Sequence, residues 1–280
     1  MELDLSLVRA AVARFVREDV GHGDVTTGAV VPSNAVGTAR IEARADFVVA
    51  GLEIAASCFE YVGPGTIRWT PLLSDGSSVV AGDVLARLDG SLHTILTGER
   101  TALNLLGRLS GVATLTRSFV AAVEGTPARI VDTRKTTPGL RLLEKYAVRV
   151  GGGHNHRFGL DDGILIKDNH VRAARGVGEA VARARNAAPH GLVIEVEVTD
   201  LSELDEALAA GADAVLLDNM TPEMVREAVT RAGGKALLEA SGGVTLENVR
   251  AYAEAGVDLI SVGALTHSAP TADVSLEVED

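Results

Sequence analysis

The sequence has one cysteine, four lysines and no long hydrophobic run, and each scarcity excludes a class of protein. Because Cys58 is the only cysteine, no disulfide can form within the chain, which favours a reducing, cytoplasmic location. No run reaches the roughly 18 apolar residues of a transmembrane helix. The charged, amphipathic first residues are not typical of a signal peptide.

The net charge of −12 argues against nucleic acid or an acidic membrane as a partner, so neither is expected. An acidic protein that binds an anion must build a local basic pocket. Because arginine is the usual cation in this chain, each lysine is informative. We interpret Lys145 and Lys235 as ordinary surface residues, and we expect Lys135 and Lys167 to serve a site.

The first hundred residues differ from the rest in their pattern of apolar residues and glycines. Apolar spacing predicts a helix over residues 3–16, followed by a glycine-rich loop and several strands. The segment 75–90 is interpreted as a hairpin, because apolar residues alternate between glycines. A second helix is predicted to start near Thr97 as its N-cap.

From about Arg129, short apolar strands alternate with helical segments. Alternation of this kind predicts right-handed βαβ units and a parallel sheet. The predicted strands are 129–132, 164–167, 193–198, 214–217, 236–240 and 259–262, and helices are predicted at 201–210, 222–232 and 246–255. The segment 146–150 is a candidate seventh strand. This is fewer than the eight strands of a complete barrel, so an incomplete barrel and an open doubly wound sheet both remain.

Cationic side chains follow two of these strands. Arg134 and Lys135 come after the first strand, and His156, Arg157 and Lys167 surround the second. Active sites of parallel α/β proteins lie at the carboxyl ends of the strands. Converging cations there predict a small substrate with more than one acidic group. The alternative is that the arginines are solvated surface charges.

Acidic residues occupy the next strand ends. Glu195 and Glu197 are two apart on a strand and therefore face the same side. Glu197 and Asp218 are candidates to hold a divalent cation through water or to bind sugar hydroxyls. Ion pairing with the nearby cations is the alternative.

Glycine-rich turns follow the last two strands. They are Ser241, Gly242 and Gly243, and then Gly263 and Ala264. Backbone N–H groups at such turns bind phosphate, and the final strand ends of a barrel are a frequent phosphate site.

Two further features admit more than one interpretation. The pair His154 and His156 could ligate a metal, but the neighbouring Arg157 would repel a cation, so anion binding is favoured. Arg100 falls in the predicted first turn of its helix, where its charge opposes the helix dipole. Either Glu99 compensates this charge, or Arg100 is placed to reach an anion.

Seven motifs together resemble the quinolinate phosphoribosyltransferase family over nearly the whole chain. They are EDVGHGDVTT, GERTALNLLGRLSGVAT, DTRKTTPGLR, EKYAVRVGGGHNHRFGLDDGILIKDNH, EVEV, LLDNM and EASGGV. The resemblance implies an α/β fold with an N-terminal α/β sandwich, residues 1–105 joined by the tail 266–280. It also implies an incomplete, seven-stranded α/β barrel over residues 106–265 that carries catalysis.

The implied reaction joins quinolinate to phosphoribosyl pyrophosphate, with Mg²⁺, and gives nicotinate mononucleotide, pyrophosphate and CO₂ in de novo NAD synthesis. The implied assembly is a homodimer with a shared active site, or a hexamer. In such a dimer the residue matching Arg100 enters the neighbouring subunit's site.

The resemblance also implies roles at the strand ends. Thr133, Arg134, His156 and Arg157 correspond to the dicarboxylate pocket, and Lys135 and Lys167 lie between the two substrates. Glu197 and Asp218 correspond to the acids near the ribose and the magnesium–pyrophosphate group, with indirect metal contact. Ser241, Gly242, Gly243, Gly263 and Ala264 correspond to the 5′-phosphate site.

Three other functions stay open on the sequence. One is a paralogue of the same fold associated with molybdate transport. Another is a metal-dependent barrel hydrolase that uses His154 and His156. The third is a binding protein that holds quinolinate without turnover.

Overall fold

The computed structural model describes residues 4–279, and the chain divides into two compact units. Unit 1 comprises Met1–Leu115, Thr137–Gly152 and Ser268–Asp280, and unit 2 comprises Thr116–Thr136 and Gly153–His267. In the described part of the chain, no helix combines the length and the apolar character needed to cross a membrane.

Unit 1 contains an antiparallel sheet of order β12-β1-β5-β3 and a small sheet of β2 and β4. Its strands are β1 (Val36–Ala43), β2 (Phe47–Val48), β3 (Ile67–Pro71), β4 (Ser78–Val79), β5 (Val84–Ser91) and β12 (Val274–Glu279). Its helices are α1 (Leu5–Val20), α2 (Val25–Val30), α3 (Leu52–Val62), α5 (Arg141–Val150) and the first part of α4 (Leu92–Ala122). The hairpin expected over residues 75–90 does not form, since β4 pairs with β2 while β5 pairs with β1 and β3.

Helix α4 begins five residues before the predicted N-cap Thr97, so that prediction was wrong. The helix continues past Gly107 and Gly111, where the chain near Pro270 crosses it. A Cβ atom at Gly111 would lie 1.8 Å from the carbonyl oxygen of Pro270. Only glycine permits this approach, by which the C-terminal tail packs on α4.

The segment 146–150 forms part of helix α5, so its interpretation as a strand was wrong. Leu143, Ala147 and Val148 are buried on one face of this helix. Glu144 is fully buried, and its Oε1 accepts hydrogen bonds from Arg108 Nη2 at 2.8 Å and Nε at 3.1 Å. Lys145 is also fully buried, which corrects its interpretation as a surface residue, whereas Lys235 is exposed as expected.

Unit 2 is a parallel six-stranded sheet of order β6-β11-β10-β9-β8-β7 with helices between its strands. Its strands are β6 (Arg129–Val131), β7 (Ile164–Ile166), β8 (Ile194–Val198), β9 (Ala214–Asp218), β10 (Leu237–Ser241) and β11 (Leu259–Ser261). Its helices are α6 (Asp168–Ala174), α7 (Val177–Ala187), α8 (Leu201–Ala209), α9 (Pro222–Ala232), α10 (Val249–Ala255) and α11 (Ala264–His267). The six predicted strands and their parallel arrangement are therefore confirmed.

The sheet order leaves β6 and β7 as the two ends of a barrel-like sheet. An isolated parallel bridge joins Val131 to His154 beside β6. His154 donates its backbone N–H to Ile130 at 2.8 Å and accepts one from Asp132 at 3.1 Å. The resemblance implied seven strands, whereas the described residues of unit 2 form six strands and this isolated bridge. The incomplete α/β barrel is confirmed as the fold class.

Candidate active site

Most of the sequence-predicted residues of unit 2 stand at or directly after the carboxyl ends of its strands. His156 and Arg157 instead lie in the loop that leads into β7, where Arg157 Nη1 donates to the carbonyl of Gly163 at 2.8 Å. Neighbouring strand ends are brought level by the register, which pairs Ser241 with Asp218 and Val198 with Leu217. Carboxyl ends of parallel strands meet at one edge of a sheet, where ligands of α/β folds bind.

Arg134, after β6, and Arg157, before β7, are near enough for their charges to interact. Both Nε atoms are buried, and neither has a hydrogen-bond partner within residues 4–279. Burial, and then the positive charge of Arg134, lower the pKa of Arg157 below its ordinary value, while Glu195 and Asp162 act in the opposite direction. Two half-buried guanidinium groups that repel each other, each with a buried Nε atom that lacks a partner within residues 4–279, are suited to binding an anion between them.

Lys135 connects the first and last strand ends. Its backbone carbonyl accepts a hydrogen bond from Thr266 Oγ1 at 2.8 Å, and its N–H donates to Thr133 Oγ1 at 3.0 Å. Its Cδ atom would be 3.2 Å from a Cβ placed on Gly263. The aliphatic stem of Lys135 therefore lies over the glycine turn after β11, and its ammonium group is exposed.

Lys167 and Glu197 form an ion pair, with Nζ 3.0 Å from Oε2. Glu197 is the less exposed partner, at 14% against 49% for the lysine side chain. The sequence left ion pairing open as an alternative for this acid, and the structure shows it. Such a pair is compatible with function, because it holds a flexible lysine at a strand end.

The carboxylate of Asp218, the last residue of β9, accepts a hydrogen bond from Asn219 Nδ2 at 2.7 Å. Asn219 has φ +54°, and its N–H donates to the carbonyl of Ser241 at 2.9 Å. A Cβ on Gly242 would lie 2.2 Å from Asn219 Oδ1. The glycine after β10 is therefore required by the asparagine turn beside it.

His156 lies between two acids. Its Nε2 is 2.9 Å from Glu195 Oε2 and 3.7 Å from Glu239 Oε2. Its backbone N–H donates to Asp132 Oδ1 at 2.9 Å. The side chains of His156, Glu195 and Glu239 are the one candidate metal-ligating group found within residues 4–279, and His154 does not belong to it.

Sequence reasoning missed Asp132 and Glu239, and for Glu195 it named only ion pairing with the nearby cations as an alternative, without choosing His156 among them. All three are buried. The signal was available for Glu239, which stands two residues before Ser241 on the same strand and must face the same side. Asp132 directly follows β6, so it shares the strand-end position of the predicted residues.

Arg100 belongs to unit 1 and is exposed, with 64% of its side chain accessible. Its Nη2 lies 3.8 Å from Glu99 Oε1. It is in the third turn of α4, not the first, so the predicted conflict with the helix dipole was wrong.

The parallel sheet, the convergent cations and the glycine turns define an α/β enzyme whose site binds a small polyanionic substrate. The chain matches the models "Quinolinate phosphoribosyl transferase, N-terminal domain" over residues 24–110 and "Quinolinate phosphoribosyl transferase, C-terminal domain" over residues 112–277. It belongs to the quinolinate phosphoribosyltransferase family, as the seven motifs indicated.

Similar proteins cover almost the whole chain. A probable nicotinate-nucleotide pyrophosphorylase [carboxylating] of Bacillus subtilis is 45% identical over 264 residues, 94% of this chain and 91% of that protein. The nicotinate-nucleotide pyrophosphorylase [carboxylating] of Mycobacterium leprae is 44% identical and covers 99% of each chain. The structure of the nicotinate-nucleotide pyrophosphorylase from Francisella tularensis superposes with a TM-score of 0.94 at 41% identity, over 99% of this chain and 98% of that one.

Proposed function

We propose that the strand-end residues of unit 2 carry the reaction of this family, with quinolinate held by Arg134 and Arg157. The enzyme transfers a phosphoribosyl group from phosphoribosyl pyrophosphate to quinolinate and gives nicotinate mononucleotide, pyrophosphate and CO₂ in NAD biosynthesis. The observation that supports the residue assignment is the pair of half-buried arginines whose buried Nε atoms lack partners within the described residues. A pyridine dicarboxylate supplies two anionic groups to such a pair.

The charges favour transfer without a covalent enzyme intermediate. The pyridine nitrogen attacks C1 of the ribose as the bond to pyrophosphate breaks, so positive charge develops on the sugar and negative charge on the leaving group. Lys135 and Lys167 would neutralise the pyrophosphate. The positive ring nitrogen then stabilises the electron pair that remains on C2 when CO₂ departs, and a proton from solvent adds to C2 to complete the product.

Glu197 and Asp218 suit Mg²⁺, because they offer carboxylate oxygens at adjacent strand ends. Mg²⁺ is usually bound through one or two carboxylates together with substrate phosphates. These two residues would hold it, directly or through water, where it would offset charge on the pyrophosphate. The turns at Ser241, Gly242, Gly243, Gly263 and Ala264 would bind the 5′-phosphate.

The proposed assembly is a homodimer, alone or within a hexamer, in which Arg100 completes the partner's site. The exposure of Arg100 supports this, and so does its loose contact with Glu99, since its guanidinium makes only this 3.8 Å ion pair within residues 4–279. A cytoplasmic location is also proposed, supported by the free, buried Cys58.

A substrate comparison tests the proposal. Purified enzyme with phosphoribosyl pyrophosphate and Mg²⁺ should form nicotinate mononucleotide and CO₂ from quinolinate and should use nicotinate poorly. A site built for two carboxylates leaves cations unpaired when one is missing. Comparable turnover of the two pyridines would contradict the dicarboxylate assignment.

A further inference from the structure

Two buried glutamates in unit 2 have no part in the proposed reaction. Glu195 on β8 is 6% exposed, and Glu239 on β10 is 1% exposed. With His156 and Arg157 they line a cavity of about 310 Å³ that is also bordered by the first residues of several strands. Carboxylates are costly in such a place, where apolar side chains would stabilise the sheet better.

The hydrogen bonds of His156 define the position of its ring proton. The backbone N–H of Arg157 donates to Nδ1 at 2.7 Å, so Nδ1 acts as the acceptor and carries no proton. The proton is then on Nε2, which lies 2.9 Å from Glu195 Oε2. The ring is neutral in this arrangement, because a doubly protonated imidazole could not accept from Arg157.

The backbone of His156 is held by a different acid. Asp132 is fully buried; its Oδ1 accepts from the His156 N–H at 2.9 Å, and its Oδ2 accepts from Asn155 Nδ2 at 2.6 Å. Asp132 therefore places the loop. Glu195 is left to orient the imidazole ring, and these two functions can be separated by mutation.

Glu239 differs from Glu195 in its contact with the ring. Its Oε2 is 3.7 Å from His156 Nε2, which is beyond hydrogen-bonding distance. Burial, and then the negative charge of Glu195, raise the pKa of Glu239 to about 8. Burial therefore favours the protonated form of Glu239, and Glu195 is the carboxyl group within hydrogen-bonding distance of Nε2.

We propose that Glu195 is a positioning residue for quinolinate binding, which fixes the His156 ring as the neutral Nε2–H tautomer beside Arg157. This rests on the proposed function, because it requires His156 to contact quinolinate. With the tautomer fixed, His156 contributes a ring of one orientation and adds no third positive charge to Arg134 and Arg157. The negative charge of Glu195 also offsets part of the repulsion between the two arginines.

The first measurement uses the unaltered enzyme. Nitrogen-15 NMR of protein labelled at histidine, with the His156 signals assigned from a His156→Asn variant, distinguishes the two tautomers and the protonated ring. A pure Nε2–H signal for His156 is expected. An Nδ1–H or doubly protonated ring would overturn the proposal, and this result needs neither substrate nor a change at Glu195.

The second measurement compares Glu195→Leu with Glu239→Leu, the same change in the same cavity without the hydrogen bond. Glu195→Leu should yield mixed tautomers and raise the KM for quinolinate about tenfold, since a hydrogen bond to a charged group contributes about 1.5 kcal/mol or more. The KM for phosphoribosyl pyrophosphate should stay the same. Glu239→Leu should retain the tautomer, and Glu195→Gln should also retain it, because its amide oxygen can accept the same proton.

The possible outcomes distinguish the positioning role of Glu195 from the assignment of His156 to the quinolinate site. If Glu195→Leu leaves both the tautomer and the quinolinate KM unchanged, or shifts both substrates' KM equally, Glu195 is only structural. If Glu195→Leu does not fold, the test rests on the other two proteins. An Nε2–H tautomer in both the unaltered enzyme and Glu195→Gln supports the positioning role, and its absence from either overturns it. If His156→Asn leaves quinolinate binding unchanged, the assignment of His156 to the substrate site fails, whatever the tautomer.

Discussion

Replacing Arg134 with alanine should abolish most quinolinate turnover while leaving the fold intact. Its Nε is buried and has no hydrogen-bond partner within residues 4–279, and its positive charge repels that of Arg157. The folded protein therefore gains little from this side chain. We expect the free energy of unfolding of Arg134→Ala to change by no more than about 0.5 kcal/mol, or to rise as the repulsion is relieved.

The effect on catalysis should be much larger. Removing one partner of a buried, hydrogen-bonded charge pair costs about 2–5 kcal/mol, because the other charge stays buried without compensation. At about 1.4 kcal/mol for each factor of ten, kcat/KM for quinolinate should fall roughly 30- to 5000-fold. Arg134→Lys should recover part of this loss, since it restores the charge but not the bidentate geometry.

The assay is steady-state formation of nicotinate mononucleotide, together with thermal unfolding of the same preparations. Arg183→Ala is the matched control, because Arg183 is an exposed arginine of α7 paired with Glu179 at 2.7 Å. It should behave like the unaltered enzyme in both measurements. A loss of less than about tenfold for Arg134→Ala, or a loss matched by a large fall in Tm, would refute the reasoning.

Four further changes test other parts of the molecule. Asp218→Ala should raise the KM for phosphoribosyl pyrophosphate and leave that for quinolinate nearly unchanged; identical kinetics would remove Asp218 from the site. Arg108→Ala should lower the free energy of unfolding in urea by about 3–5 kcal/mol, because its fully buried carboxylate partner loses its cation; a change below about 1 kcal/mol would show the pair to be dispensable. Because the raised pKa of Glu239 keeps it protonated where the unfolded chain ionises, the free energy of unfolding should fall as pH rises from about 4.5 to 8. The Tm of Glu239→Gln minus that of the unaltered enzyme should therefore rise across that window. If this difference in Tm is the same at every pH, the pKa of Glu239 is not raised. Arg100→Ala should be inactive without a change in Tm, and mixed dimers with Arg134→Ala should regain activity; dimers shown to mix but still inactive would contradict a shared site.

Local sequence was sufficient for the architecture of unit 2. Strand and helix alternate there at short spacing, and each strand either ends on a polar residue, as at Asp218, or is directly followed by one, as Ile166 is by Lys167. Because parallel strands present their carboxyl ends at one edge, the order of residues already predicts which side chains converge. The register that brings Ser241 level with Asp218 agrees with this.

Local sequence was insufficient where a short apolar segment suits more than one structure. Residues 146–150 read equally well as a strand or as the end of a helix, and packing of Leu143 and Ala147 selected the helix. Thr97 has the side chain of an N-cap but lies inside a helix that begins at Leu92. A capping preference of about 1 kcal/mol is readily outweighed by the burial of a long helix in the core.

The sequence by itself determined the six strands of unit 2, the family and the identity of the strand-end residues, because these follow from apolar periodicity and contiguous motifs. Only the tertiary structure decided which charges are buried and which atoms they meet. Lys145 was interpreted as a surface residue from the sequence, yet it is fully buried. Glu195 reaches His156 across about forty residues of chain. Burial and long-range hydrogen bonds depend on how distant segments pack together, and no local pattern contains that information.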